Sequence, residues 1–449
     1  MRNVMRAVVT TAAFAILSTV VARADAADDG RRHGHGQKDD AIQLGPRPFY
    51  LVDGMDEGPL KHRLMQCKDE RFRRTDFSIG HRGAALQFPE HTQESYEAAA
   101  LQGAGIVECD VTFTKDAQLV CRHAENDLHT TTNILVTPLA EKCTKKFTPA
   151  TFDVSGKLLT PASAECRTSD LTLAEFKTLT GKMDASNPSA RTAAEFLGGT
   201  ASWRTDLYTG RGTLMTFRES IALNKRNGVK HTPELKESVI DPATGKKRIE
   251  EVFKNPTTRT PQQNYAQALA DVLDAEDVKP RDAWPQSFNV EDVAYWIDRT
   301  SYGRQAVYLL DFNATDPIND IIIQAPYNAM DRTQYFNALK KRGVRIIAPA
   351  MPALLAVDAN NRVVSSKLAK DLKAMGFDLI TWSFERADLR RGAANAGFYY
   401  DFDPQSKAIK KDSDMYKALD ALARDVKVLG VFSDWPATVT YYANCMDLN

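Results

Sequence analysis

The sequence predicts an α/β chain organised as a (β/α)8 barrel that carries an inserted, loop-rich subdomain. Three observations lead there. From Thr75 onward, short apolar strand-like runs alternate with amphipathic helical stretches, the pattern of a parallel sheet with helical crossovers. Seven such runs and a shorter one at Ser78-Ile79-Gly80 give the eight elements that a closed barrel requires. The 449 residues exceed a typical domain of roughly 150 about threefold, which leaves room for three domains or one large barrel with insertions. With 43% hydrophobic, 26% charged and 9% aromatic residues, disordered, collagen-like and coiled-coil classes are excluded. Lys plus Arg (58) balances Asp plus Glu (58), so the chain lacks the basic excess of a nucleic-acid binder, and nucleic acid is excluded as a partner.

In chain order, Arg2 and Arg6 precede an apolar run from Ala7 to Val21, and Ala22-Arg23-Ala24 offers a small-x-small cleavage site. This reads as a signal peptide over 1–24 and a periplasmic or secreted destination. No later apolar stretch reaches the ~18 residues of a membrane helix, so no stable membrane insertion is expected after cleavage. Residues 25–48, with Arg31-Arg32-His33-Gly34-His35-Gly36, read as a flexible tail, and 75–449 as the barrel. Predicted strands are Phe77 to Gly80, Ile106 to Phe113, Leu119 to Arg122, Val229 to Leu235, Ala306 to Phe312, Val344 to Ala348, Leu379 to Trp382 and Val428 to Phe432. Leu119 to Arg122 could instead pair in a hairpin. Predicted helices cover Gln93 to Gln102, Thr216 to Asn227, Asn264 to Glu276, Asn289 to Thr300, Arg332 to Arg342 and Ser365 to Met375, with Tyr416 to Asp425 last.

The rhythm breaks over 126–212, where Thr, Ser, Pro and Gly dominate and a helical signal survives only near Leu173 to Thr178. This insertion leaves directly after His123, which predicts a cap over the mouth of the barrel, and its low apolar content predicts little packing of its own. Six cysteines, an even number, fit an oxidising compartment. Cys143 with Cys166 is the preferred pair and Cys67 with Cys445 could tie the two ends of the globule together, though spacing does not fix connectivity. Six cysteines allow 15 full pairings, and for Cys109 and Cys121, inside strand-like runs, buried free thiols are the alternative to a third bridge.

Polar residues at strand ends carry the chemistry. Because strand side chains alternate, Glu108 and Asp110 share one side while Cys109 takes the other, and Glu234 and Lys236 share a side while Leu235 packs away. Bare carboxylates gathered on one barrel-facing side repel, and a hard divalent cation with oxygen ligands resolves that repulsion. His81 and Arg82 end the first strand, and His123 follows the Leu119 run. Each of these taken alone is weak: a strand histidine is commonly a core residue, and Glu-x-Lys a surface ion pair.

The ordered series resembles the glycerophosphodiester phosphodiesterase family. It consists of His81-Arg82-Gly83, Pro89-Glu90-His91-Thr92, Glu108-Cys109-Asp110, Thr114-Lys115-Asp116, Leu119-Val120-Cys121-Arg122-His123, Glu234-Leu235-Lys236, Thr381-Trp382 and Gly430-Val431-Phe432-Ser433-Asp434-Trp435-Pro436. The resemblance spans Phe77 to the C-terminus. It implies metal-dependent hydrolysis of a small glycerophosphodiester to glycerol 3-phosphate and an alcohol, through a cyclic phosphate or by direct water attack. It also implies that Glu108, Asp110 and Glu234 hold one divalent cation, Ca2+ in preference to Mg2+ given the address and the all-oxygen ligand set. His81 and His123 are the implied acid and base, Arg82 and Lys236 the implied charge-neutralising groups, and Trp382 and Glu90 the implied substrate contacts. A lipid-cleaving, sphingomyelinase-D-like enzyme of the same fold and a non-catalytic phosphodiester or cell-surface binding barrel are the alternatives. Two positions depart from the pattern, His91 where the family usually has Asn and Ala124 where Asp is common.

Overall fold

The computed structural model describes residues 42–254 and 258–448. The expected signal peptide and residues 25–41 of the expected tail lie outside the described residues.

Eight parallel strands close a barrel: β1 (Thr75–Gly80), β2 (Ala104–Phe113), β3 (Lys230–Leu235), β4 (Gln286–Ser287), β5 (Val307–Leu310), β6 (Ile346–Pro349), β7 (Asp378–Phe384) and β8 (Gly430–Ser433). Neighbours follow chain order, and β1 pairs with both β2 and β8, so no edge remains in the ring. Leu119–Cys121 is the antiparallel partner of β2, as the hairpin alternative anticipates, and lies outside the ring. The eighth barrel strand is β4, which the sequence does not announce. Two residues beside Pro285 are too short to display a period of two.

The interior follows the alternation of side chains. Ile79, Ile106, Val307, Leu309, Ile346, Ala348, Ile380 and Phe432 fill the barrel as one buried cluster. On β2, Ile106 is followed on the same face by Glu108 and Asp110, so the filling changes from aliphatic to charged toward the C-terminal ends of the strands. Cys109, Val111 and Leu235 face outward into the larger core beneath the helices.

Those helices are α3 (Gln93–Leu101), α4 (Phe217–Arg226), α5 (Pro261–Ala275), α6 (Val290–Arg299), α7 (Arg332–Arg342), α8 (Lys367–Ala374), α9 (Met415–Asp420) and α10 (Pro436–Cys445); α1 (Arg47–Asp53) and α2 (Pro59–Gln66) precede the barrel. The last residues of the expected tail run into α1, with Leu44 and Pro48 buried. Helix α5 starts three residues earlier than predicted because Thr260 and Gln263 form a reciprocal capping box with Pro261 at the first turn. Helix α10, rather than the predicted Tyr416 segment, is last. Nine of its ten residues are buried, so it has no polar stripe for periodicity to reveal.

All six cysteines are paired. Cys143–Cys166 and Cys67–Cys445 are joined as expected, but Cys109 and Cys121 form a disulfide rather than standing as free thiols. The antiparallel register places Cys121 opposite Val111, close enough along β2 for the two Cα atoms to lie 5.3 Å apart. The insertion also corrects the expectation of little packing. Leu128, Ile134, Leu135, Phe176, Leu179 and Phe196 form a buried cluster of their own together with Cys143 and Cys166. Helical order does survive where predicted, as a Thr172–Glu175 capping box opening Leu173–Phe176.

Candidate active site

The strand ends converge on a cavity of about 590 Å3 at the C-terminal mouth of the barrel. Glu108 and Asp110 reach it from β2 and Glu234 from β3. The three buried carboxylates place one oxygen each within 4.8 Å of one another. Register explains the meeting, since Glu234 on β3 lies opposite Asp110 on β2.

Each acid is held differently. Glu108 accepts hydrogen bonds from the Arg82 backbone N–H (3.0 Å) and from Gln286 Nε2 (2.8 Å). Asp110 Oδ2 is engaged by His91 Nε2 at 2.8 Å, while His91 Nδ1 meets the Tyr96 hydroxyl at 3.0 Å. Glu234 Oε1 accepts from Lys236 Nζ at 2.5 Å. Burial, with the other two acids adding repulsion, pushes the Glu108 carboxyl well above the usual range. Burial likewise raises Glu234, to about 7, against the pull of Lys236. Burial would raise Asp110 too, but Lys236, His91 and Arg82 outweigh it and keep this carboxyl ionised. The remaining oxygen, Asp110 Oδ1, is buried with no hydrogen-bond partner. An all-carboxylate set with one orphaned oxygen fits a hard divalent cation, and Glu108, Asp110 and Glu234 are the residues that could hold it.

The two histidines flank this set. His81 Nδ1 lies 2.5 Å from Asp434 Oδ1, and its Nε2 lies 3.3 Å from Ser383 Oγ and 3.8 Å from Glu108 Oε2. Burial lowers its pKa to about 4 despite the attraction of Asp434. His123 lines the same cavity, and burial together with Arg82 and Lys236 holds it well below the usual imidazole range.

Every residue singled out from the sequence lines the cavity except Asp110, which lies beneath it in the carboxylate set. Glu90 is engaged by Arg82 (2.8 Å), and Arg82 and Arg386 override burial to lower its pKa to about 2. Trp382 donates its indole N–H to Ala348 O (3.0 Å) and packs at 5.8 Å from Phe288 and 6.5 Å from Tyr399, making an aromatic wall to the cavity. The insertion adds Thr130, Thr131, Asp184 and Ser186 to the lining.

Four contributors carry no role in the sequence reading. Asp434, within a quoted motif, holds His81; Arg386 donates to Asp434 Oδ2 (2.8 Å) and to Asp184 Oδ2 (3.1 Å). Gln286 orients Glu108, and Tyr399 joins the aromatic wall. Strand parity could have found Asp434, which follows the inward Phe432 by two residues. The others lie on β4 or on loops, where no periodicity points at a partner.

With this geometry in place, comparison with known proteins is specific. The profile of the Glycerophosphoryl diester phosphodiesterase family matches residues 81–438. A protein of Arthroderma benhamiae named "Extracellular protein" is 38% identical over 270 residues, 59% of this chain and all of that one. The glycerophosphodiester phosphodiesterase GDPD6 of Arabidopsis thaliana is 32% identical over 196 residues, 43% of this chain and 44% of its own length. Among solved structures, an Oleispira antarctica phosphodiesterase in complex with the product sn-glycerol-3-phosphate aligns over 82% of this chain and 96% of that one, with 17% identity and a TM-score of 0.45.

Proposed function

The chain belongs to the glycerophosphoryl diester phosphodiesterase family, and from that premise we propose that it hydrolyses small glycerophosphodiesters to glycerol 3-phosphate and an alcohol. One divalent cation would be held by Glu108, Asp110 and Glu234, with His81 and His123 as the proton carriers. The observation that supports this most is the buried three-carboxylate cluster with the orphaned Asp110 oxygen, flanked by the two imidazoles.

A phosphodiester monoanion in the cavity meets Lys236 and Arg82, which offset charge on its non-bridging oxygens. When bound, the cation supplies further charge neutralisation there; Ca2+ suits the three carboxylates and an extracytoplasmic protein. One imidazole takes the proton of the attacking hydroxyl or water. The other must hold a proton before the step and gives it to the leaving alkoxide as its P–O bond breaks, and the proton taken up by the first ring restores the starting balance. Asp434, accepting from His81 Nδ1, fixes that ring with Nε2 facing the cavity. The aromatic wall of Trp382, Phe288 and Tyr399 packs against carbon-bound hydrogens of the substrate.

Export is part of the reading. It rests on the leader-like N-terminus, three disulfides and the relative named for an extracellular location, and no helix among the described residues is long and apolar enough to cross a membrane. The test incubates the full chain with glycerophosphocholine, glycerophosphoethanolamine and sphingomyelin, with calcium and after chelation. Release of glycerol 3-phosphate from the first two, lost on chelation and restored by calcium, is expected. Turnover of sphingomyelin alone would overturn the reading.

A further inference from the structure

The mouth of the barrel holds a second cavity, of about 540 Å3, over the ends of β3, β4 and β5. It shares Glu234, Lys236 and Phe288 with the first, so the two cavities flank one charged pair and one aromatic ring. A phosphodiester seated at that pair carries a substituent on each side of phosphorus, and each cavity stands open to one of them.

The first lining mixes Trp382, Tyr399, Leu309 and Phe432 with the catalytic acids and bases; the second holds neither histidine nor arginine and offers Gln262, Asn289, Gln324, Glu237, Asp311 and Lys247 beside the Phe288 ring. Much of the hydrogen-bonding capacity of the second is unspent among the described residues. Asn289 uses Oδ1 to cap α6 through the Glu291 N–H (3.0 Å), which leaves both protons of its Nδ2. Gln262 donates Nε2 to Asp292 (2.8 Å), which leaves Oε1. Asp311 uses Oδ1 on the Phe312 N–H (2.9 Å), which leaves Oδ2. Amide donors and carboxylate or amide acceptors are thus interspersed on one wall.

A hydroxyl both donates and accepts, so a group with several hydroxyls can satisfy such a wall. A trimethylammonium head has neither capacity and would leave the amide protons and acceptors unpaired, as would an acyl chain. We infer that the second cavity is a subsite for a polyhydroxylated alcohol, a polyol or sugar esterified to glycerol phosphate. The inference rests on the phosphodiesterase reading above and adds the substrate class. Phe288, at the junction, presents its ring to the carbon face of that group.

The test compares glycerophosphoinositol with glycerophosphocholine, using the calcium-loaded full chain and its Asn289→Ser variant. Serine retains the helix cap, so the fold is kept while both unspent Nδ2 protons are lost. KM for glycerophosphoinositol should rise about tenfold, the worth of one or two lost hydrogen bonds, while kcat/KM for glycerophosphocholine stays within about twofold of wild type. Equal changes for the two esters, no change for either, or a wild-type enzyme that cleaves only the choline ester would overturn the subsite. A wild-type enzyme inactive on both esters would instead overturn the phosphodiesterase reading.

Discussion

The two histidine-bearing segments of the mouth are held in opposite ways. At the end of β1 the His81 ring itself is gripped, by Asp434 on Nδ1 and Ser383 near Nε2, and Asp434 is gripped in turn by Arg386. On the hairpin after β2 the His123 ring has no hydrogen bond to another described residue, and its neighbours are fastened instead. Cys121 is bonded to Cys109, between two of the carboxylates, and the Arg122 N–H donates to Asp110 O at 2.8 Å. The buried Arg122 guanidinium donates to the carbonyls of Cys121, Thr131 and Glu90. One ring is oriented by charge and the other placed by main chain. A side-chain grip fixes tautomer and angle, whereas a backbone grip fixes position and leaves the ring free to turn.

The largest test of this contrast removes the rings. His81→Ala and His123→Ala should each lower kcat about a thousandfold or more, with circular dichroism and calcium binding by calorimetry little changed. A near-normal rate in one variant would show that the segments are not partners. Next come the grips. Asp434→Asn should lower kcat about a hundredfold with the melting temperature nearly kept, because it disturbs the charge that orients His81. Cys109→Ala/Cys121→Ala should lower kcat about tenfold, and it should also cost about 3 kcal/mol of stability, read from denaturant unfolding, since the closed loop is short. If the cysteine pair leaves kcat untouched, the main chain does not need that bond to place His123.

The smallest effect separates acid sensitivity of the fold from that of the mouth. His231, on β3 but facing the helices beside Asn224, is lowered to about 4 by burial and by Lys225. Its charged form is disfavoured in the folded state, so the stability it contributes is complete above its unfolded pKa of about 6.5 and declines as pH falls toward 4. Between pH 7 and 5 the loss should be about 2 kcal/mol, and His231→Asn should flatten that slope in melting scans. An acidic limb in the rate that survives this substitution then belongs to the mouth.

Much of this was legible in the sequence, for identifiable reasons. Seven barrel strands carry enough apolar residues to show a period, and the parity of Glu108, Asp110, Glu234 and Lys236 follows from the pleat alone. The two-residue β4 shows no period, and the almost wholly buried α10 shows no stripe. The pairing of Cys109 with Cys121 depends on hairpin register. The insertion core joins residues as far apart as Leu128 and Phe196, whose density along the chain is low although their density in space is high. Contacts such as Asp434 with His81, 353 positions apart, belong to barrel closure and have no local signature.

The disulfides also impose an order on synthesis. Cys109 finds Cys121 after 12 residues and Cys143 finds Cys166 after 23, whereas Cys67 must wait for Cys445, 378 residues later. Chain-closure entropy favours the near pairs, so each closes within its own stretch while Cys67 waits for a partner that comes last in the chain. Its partner sits on α10, directly behind β8, the strand that shuts the ring. Oxidation of the last pair therefore records that the barrel is complete, and a chain cut short before α10 would leave Cys67 without its partner.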